Sequence, residues 1–124
     1  MMARSDLLAG LDILLIEDET MVSFLIEEML EQLGAASIRH AARLEAGLAL
    51  VDAKLPAVAI LDVNITGETV FPLAEKLQAA GVPFVFSTGY GRDGVHGPWA
   101  ACEVLQKPLT MQEFEQGLRR ILTA

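Results

Sequence analysis

Short runs of hydrophobic residues alternate along this chain with segments in which hydrophobic residues recur every three or four positions. Residues 13–16 and 58–61 are uninterrupted apolar runs, and an acidic residue follows each of them. Such runs are typical of strands that are buried on both faces of a parallel sheet. Weaker strand patterns occupy residues 36–41, 82–86 and 104–105.

Helical patterns separate these strands. Val22, Ile26 and Met29 share one face of the first pattern, and Gly34 follows at a position where helices commonly end. Further helical spacing begins near Leu44, near Val70 and after Thr110, which forms a capping box with Glu113. Strands that alternate with helices predict an α/β fold, an open and mostly parallel sheet with helices on both faces.

One segment departs from this alternation. Residues 91–102 contain three glycines and one proline and lack an apolar stripe of helical period. We therefore predict that the fourth helix is short or disordered and that this segment is mobile. Within it, we expect His96 to be exposed and Trp99 to cover apolar surface.

Length and composition restrict the class of protein. The 124 residues predict a single domain over 1–124, with its core from about residue 11 to 124. The net charge of −8 argues against direct binding to nucleic acid. The apolar stretch 7–16 contains Asp12 and is too short to span a membrane, and the acids at 17–19 stand where a signal peptide would have its small-residue cleavage site. A cytoplasmic location without membrane contact is expected.

Polar residues at the strand ends are the candidates for chemistry, because ligands of such sheets bind at the carboxyl ends of the strands. Glu17 and Asp18 follow the first strand, Asp62 the third, Thr88 the fourth and Lys107 the fifth. Each residue alone has an ordinary explanation as a helix-opening acid, a turn residue or a solvated charge. All of them together, in this order and at nearly equal spacing, indicate a functional site.

Four segments carry a family resemblance, and together they cover almost the whole chain. They are Leu-Leu-Ile-Glu-Asp-Glu at 14–19, Ile-Leu-Asp-Val-Asn at 60–64, Phe-Ser-Thr-Gly-Tyr at 86–90 and Leu-Gln-Lys-Pro at 105–108. The pattern resembles the receiver domain of bacterial two-component response regulators. This resemblance implies a flavodoxin-like, five-stranded parallel sheet in the order 2-1-3-4-5. Because the chain ends directly after its last helix, we expect a stand-alone receiver.

The resemblance also implies residue roles. Asp62 matches the phosphoacceptor, which takes its phosphoryl group from a phosphohistidine. Mg²⁺ or Mn²⁺ would be bound by Asp18, by Asp62, by the backbone carbonyl of Asn64 and, through a water, by Glu17. Thr88 and Lys107 match the hydroxyl and the ammonium that contact the phosphoryl oxygens, and the family commonly has a cis bond before the proline that follows this lysine.

The chain departs from the family at the aromatic residue of the fifth strand, because Val104 occupies that position. Residues 86–90 are similar to the Phe-Ala-Thr-Gly motif of a subgroup that lacks this aromatic. Tyr90 either substitutes as the moving ring or is an ordinary loop tyrosine.

The resemblance implies a sensor histidine kinase or phosphotransfer protein as the phosphoryl donor and a downstream protein as the target. It implies no enzyme activity beyond self-phosphotransfer and slow autodephosphorylation. Two alternatives stay open. A small aspartyl-phosphate phosphatase needs a second acid where Asn64 stands, and a non-phosphorylated docking domain would leave the strand-end residues unused.

Overall fold

The computed structural model describes residues 6–89 and 94–123, which form a five-stranded parallel sheet flanked by helices. The elements in chain order are β1 (Asp12–Ile16), α1 (Thr20–Gln32), β2 (Ser37–Ala41), α2 (Leu44–Ala53), β3 (Val58–Asp62), β4 (Asn64–Ile65), β5 (Glu68–Thr69), α3 (Phe71–Ala79), β6 (Phe84–Thr88), a 3-10 helix (Gly97–Trp99), β7 (Val104–Gln106) and α4 (Met111–Leu122). The sheet order is β2-β1-β3-β6-β7, with parallel pairing throughout. The predicted flavodoxin-like order 2-1-3-4-5 is confirmed.

The apolar strands divide their side chains between two cores. Leu14 and Ile16 of β1 pack with residues of α2 and α3, whereas Ile13 and Leu15 pack with residues of α1 and α4. All four side chains are fully buried. Successive side chains of a strand point to opposite faces, so a strand covered on both faces needs an apolar residue at every position. The prediction of helices on both faces of the sheet is confirmed, because α2 and α3 cover one face and α1 and α4 cover the other.

Two helices approach the sheet closely through a glycine. A Cβ atom added at Gly47 of α2 would lie 2.8 Å from the Cδ1 atom of Ile16, and one at Gly117 of α4 would lie 2.8 Å from Leu105. Glycine is unfavourable inside a helix, by about 1 kcal/mol relative to alanine. At these positions the close contact with the sheet accounts for its presence.

The segment that follows β3 is a small antiparallel hairpin formed by β4 and β5. Its two turn residues, Thr66 and Gly67, have φ angles of 48° and 86°. Positive φ at both central positions is the requirement of a type I′ hairpin turn, which matches the twist of the paired strands. Positive φ is uncommon for a β-branched residue, and Thr66 therefore holds a strained conformation.

The connection between β6 and β7 contains a 3-10 helix rather than an α-helix within its described residues, 94–103. Trp99 is buried there and stacks on Phe71, with 5.6 Å between ring centroids and 11° between planes. It also meets the edge of Phe86 at 5.9 Å. As predicted, Trp99 covers apolar surface and His96 is exposed. Tyr90 and residues 91–93 lie outside the described residues. The prediction for 91–102 is therefore compared with the structure over residues 94–102 alone, and the prediction for Tyr90 is not compared.

Ordered packing begins before residue 11. Leu8 is fully buried, and its N–H donates to the carbonyl of Leu33 at 2.8 Å. Ala9 forms an antiparallel bridge with Ala35 after the end of α1. In the described part of the chain, no helix has both the length and the apolar composition needed to cross a bilayer.

A hydrogen-bonded ion pair joins β1, β2 and α2 at the sheet end opposite the acidic strand ends. Asp12 accepts hydrogen bonds from Ser37 Oγ at 2.6 Å and from Arg39 Nη2 at 2.7 Å. The same guanidinium donates to the carbonyls of Leu50 and Lys54, near the C-terminus of α2. Carbonyls at a helix end lack partners within the helix, so Arg39 both caps α2 and pairs with Asp12.

Asp12→Asn is expected to lower the free energy of unfolding by about 1 kcal/mol at pH 7. Burial raises the pKa of Asp12, but the hydrogen bonds from Ser37 and Arg39 outweigh burial and hold the pKa below its usual value. A lowered pKa stabilises the fold above the unfolded-state pKa, and this contribution is lost as the pH falls through the folded-state pKa. Urea denaturation of wild type and variant should therefore show a smaller difference at pH 3 than at pH 7.

Asp52→Asn is the matched control, because Asp52 pairs with Lys76 at 2.7 Å on the exposed surface. Exposed ion pairs contribute little, so this variant should stay within about 0.5 kcal/mol of wild type. An Asp12→Asn deficit that is equal at both pH values would contradict the ion pair as its cause.

Candidate functional site

Parallel pairing brings the polar strand ends to one edge of the sheet, where they line a cleft of about 420 Å³. The residues that line it are Asp18, Glu19, Asp62, Asn64, Thr88, Gly89 and Lys107. Five of these were candidates from the sequence, whereas Glu19 and Gly89 were not assigned to the site. The remaining candidate, Glu17, is fully buried and contacts Lys107 of the cleft. The structure thus brings all six candidate residues together.

Three carboxylates crowd this edge. Glu17, Asp18 and Asp62 each place one oxygen within 4.8 Å of the others. The cause is the neighbouring position of β1 and β3, which pair in register up to Ile16 and Leu61. The residues that follow this last pair therefore meet at the strand ends. Such a group of like charges favours the binding of a cation or a proton.

Lys107 supplies the positive charge among the acids. Its Nζ atom lies 2.8 Å from Glu17 Oε1 and 3.1 Å from Asp62 Oδ2. Burial alone would lower the pKa of Lys107, but the contact with Glu17 and the charge of Asp62 raise it above its usual value. Lys107 is therefore an ammonium ion that one strand end presents to two carboxylates. The peptide bond between Lys107 and Pro108 is cis, as the resemblance implied.

Asp62 is the perturbed acid of the cleft. It is 6% exposed, and its burial, together with the negative charge of Glu17, raises its pKa to about 7, although Lys107 acts in the opposite direction. Lys107 therefore does not fully offset the effects of burial and of Glu17 on the pKa of Asp62. A further positive charge in the cleft would stabilise the ionised form of Asp62.

Backbone and side-chain donors outside the candidate set hold the acids in place. The N–H of Glu19 donates to Glu17 Oε2 at 3.1 Å, and the N–H of Thr66 donates to Asp18 Oδ2 at 2.9 Å. The Nε2 atom of His40 lies 2.8 Å from the carbonyl oxygen of Glu17. Sequence reasoning missed these donors. The glycine that follows Thr66 is the feature of the sequence that could have indicated the turn beside the site.

The end of β6 forms the opposite wall. Thr88 is 2% exposed, and its carbonyl accepts a hydrogen bond from the N–H of Lys107 at 2.8 Å. Ser87 pairs in register with Asp62 and is fully buried. Its Oγ atom receives no hydrogen bond within the described residues. Val104 pairs with Phe86 in the sheet at the position where the family commonly has an aromatic ring.

The donor set of the cleft suits a small divalent cation. Carboxylate and carbonyl oxygens are the ligands that Mg²⁺ prefers, and three carboxylates lie beside Asn64 at one cleft. Burial and the charge of Glu17 raise the pKa of Asp62 despite Lys107, so a bound cation would favour the ionised form of this acid. Receiver domains bind Mg²⁺ at an acidic cluster of this kind, and the residues of this chain fit such an ion.

The doubly wound fold and its acidic strand ends define a class of signalling domains in which a carboxylate accepts a phosphoryl group. The family model described as "Response regulator receiver domain" matches residues 13–119. The chain therefore belongs to the response regulator receiver domains and is a phosphoacceptor module of two-component signalling. The family interacts with histidine kinases or phosphotransfer proteins.

Solved structures agree with this assignment. The solution structure of SdrG from Sphingomonas melonis Fr1 is 36% identical, with a TM-score of 0.79, and the match covers 94% of this chain and 98% of that chain. The BeF3-activated conformation of SdrG from Pseudomonas melonis Fr1 is 33% identical, with a TM-score of 0.76 and coverage of 97% and 99%.

A CheY-like receiver domain from Methylobacillus flagellatus shares the fold at 20% identity and a TM-score of 0.76, over 89% of this chain and 97% of that chain. A comparison with curated proteins finds no significant match. The resemblance seen in the sequence is confirmed by the family and by the fold.

Asp62→Asn is expected to raise the free energy of unfolding of the metal-free protein at pH 8 by about 1 kcal/mol or more. A carboxyl group with a raised pKa destabilises the fold once it ionises, so the wild type loses stability as the pH rises from about 4 through 7. Urea denaturation in the presence of a chelator should show the gain at pH 8 and a smaller gain at pH 5. An advantage of equal size at both pH values would contradict the crowding of charge.

Proposed function

We propose that Asp62 accepts the phosphoryl group from a phosphohistidine of a sensor histidine kinase or phosphotransfer protein. A carboxylate oxygen of Asp62 forms the new bond to phosphorus while the bond between phosphorus and the histidine nitrogen breaks. The electron pair of the broken bond remains on the imidazole. The observation that carries the proposal is the position of Asp62 in an open cleft beside one partly buried ammonium and two further acids.

Lys107 and Thr88 contact the transferred group in this proposal. Phosphoryl transfer requires alignment and the neutralisation of charge on the equatorial oxygens more than it requires covalent help. The Nζ atom of Lys107 already lies 3.1 Å from Asp62 Oδ2, where a bound phosphoryl group would meet it. Thr88 lines the same cleft and offers a hydroxyl to another oxygen.

Glu17, Asp18, Asp62 and the carbonyl of Asn64 would hold Mg²⁺ or Mn²⁺, with Glu17 acting through a water. When bound, the ion would supply the positive charge that the transfer of a phosphoryl group demands. The hydrogen bond from Thr66 directs the Asp18 carboxylate to one side of the cleft. No activity on another substrate is proposed. A phosphatase of the Asp-x-Asp type needs an acid where Asn64 stands, so this alternative is disfavoured.

Incubation with a small phosphodonor and Mg²⁺ should add one phosphoryl mass to the wild type in a base-labile form, as expected for an acyl phosphate. Asp62→Asn should gain no such mass, and Asp18→Asn should gain it far more slowly because a metal ligand is lost. Intact-mass measurement over time checks the result. Equal modification of Asp62→Asn would overturn the assignment, and an unmodified wild type would favour the docking domain.

The donor would dock on an apolar surface beside the cleft, formed by exposed residues of α1. Met21, Phe24 and Leu25 are 82%, 63% and 46% exposed. Leu25 also lines an apolar pocket of about 320 Å³ that shares Glu19, Gly89 and Lys107 with the cleft. Large exposed apolar patches mark sites of protein interaction. A protein that brings its phosphohistidine to the cleft must cover this rim.

Phe24→Ser is expected to slow phosphorylation by the protein donor at least several-fold and to leave phosphorylation by a small phosphodonor within twofold of wild type. The side chain is mostly exposed, so folding should be unaffected. Leu55→Ser is the matched control, since Leu55 is 49% exposed near the opposite end of the sheet. Rates from time courses with a purified histidine kinase check the result. Equal slowing by both variants would contradict a specific docking surface.

A further inference from the structure

The backbone N–H and the backbone carbonyl of Glu17 both form hydrogen bonds with residues at the end of β2. Its N–H donates to the carbonyl of Ala41 at 3.1 Å, which continues the pairing of β1 with β2. Its carbonyl oxygen lies 2.8 Å from Nε2 of His40. A carbonyl oxygen only accepts hydrogen bonds, so Nε2 carries the proton of this imidazole.

The side chain of His40 forms its hydrogen bond at the point where the backbone pairing of β1 with β2 ends. The last aligned pair of β1 and β2 is Ile16 with Ala41, and the chain then leaves the sheet to begin α2 at Leu44. His40 folds its side chain toward β1 and donates to the residue just beyond that pair. The contact joins positions that are 23 residues apart, so it is a tertiary contact rather than a local turn.

We propose that His40 is a positioning residue for the metal-binding acids. By holding the carbonyl of Glu17, it sets the direction of the peptide that carries Asp18 and thereby the approach of both carboxylates to one ion. The inference rests on the proposed function of the cleft. Thr66 and Glu19 hold the carboxylate oxygens through backbone N–H groups. His40 differs because it holds the backbone itself and does so through a side chain that mutation can replace.

The expected effect of His40 on Mg²⁺ affinity can be judged from the strength of a single hydrogen bond. A net contribution of about 0.5 to 1.5 kcal/mol corresponds to a change of roughly two- to tenfold in an equilibrium constant. Residues that orient metal ligands affect metal affinity by a similar or larger factor. Because His40 is exposed, its replacement should leave the fold intact.

The test uses two replacements at one position. His40→Gln retains an N–H donor at the end of a side chain, whereas His40→Leu has similar bulk and no donor. His96→Leu is the matched control, because His96 is the second histidine of the chain and lies exposed on the β6–β7 connection. The Mg²⁺ dissociation constant is measured by calorimetric titration. Phosphorylation by a small phosphodonor is then followed at low and at saturating Mg²⁺.

We expect His40→Leu to raise the Mg²⁺ dissociation constant about three- to tenfold, within the range of one hydrogen bond, and to slow phosphorylation at low Mg²⁺. At saturating Mg²⁺ the rate should return to within about twofold of wild type. His40→Gln and His96→Leu should bind Mg²⁺ like the wild type. Unchanged affinity in His40→Leu, or equal loss in His40→Gln, would overturn the role of His40 alone. A wild type without Mg²⁺ binding would overturn the metal site itself.

Discussion

The contact of Lys107 with two buried carboxylates is the interaction on which the rest of the site depends. Three acids at one edge of a sheet repel one another, and burial strengthens the repulsion because it removes the screening by water. One ammonium, 2.8 Å from Glu17 and 3.1 Å from Asp62, allows the acids to remain together. Burial and the charge of Glu17 nevertheless raise the pKa of Asp62 to about 7. The remaining demand for positive charge is what prepares the cleft for a cation and a phosphoryl group.

The topology of the sheet creates this contact. In the order β2-β1-β3-β6-β7, the strands β1 and β3 present their carboxyl ends side by side, and β7 lies two strands from β3 and three strands from β1. Lys107 follows β7 directly and reaches back across β6 to the acids. Residues far apart in sequence therefore become neighbours without any local motif that contains them all. The same arrangement explains why ligands of doubly wound sheets bind at the strand ends.

Three segments surround the site: the hairpin after β3, the connection between β6 and β7, and helix α1. After β3, the hairpin of β4 and β5 holds Thr66 at a φ angle of 48°, and the strained residue directs its N–H to Asp18. Between β6 and β7, Trp99 stacks on Phe71 and covers the sheet where a longer helix would otherwise lie. The exposed apolar face of α1 lies beside the cleft. In this chain the polar residues of the site thus lie at the strand ends, and these segments surround them.

The sequence by itself determined the five strands of the parallel sheet, the four α-helices and the six candidate residues of the site. Uninterrupted apolar runs such as residues 13–16 are typical of strands covered on both faces, and the acids that follow them mark the strand ends. The capping box at Thr110 likewise set the start of α4, where its hydroxyl accepts from the N–H of Glu113. These features depend on local periodicity and on neighbouring residues, which a sequence displays directly.

Only the tertiary structure decided how strongly the acids interact and what holds them. The pKa of Asp62 depends on burial and on the distance to Glu17, and neither quantity is written in the local sequence. His40 reaches the carbonyl of Glu17 because β1 and β2 pair in one particular register, and a histidine on an edge strand carries no sequence signal of that contact. The sequence predicted that Trp99 covers apolar surface, but it did not indicate that Phe71 is the ring on which Trp99 stacks. Contacts between residues distant in the chain follow from packing geometry, and that geometry exists only after the whole sheet has formed.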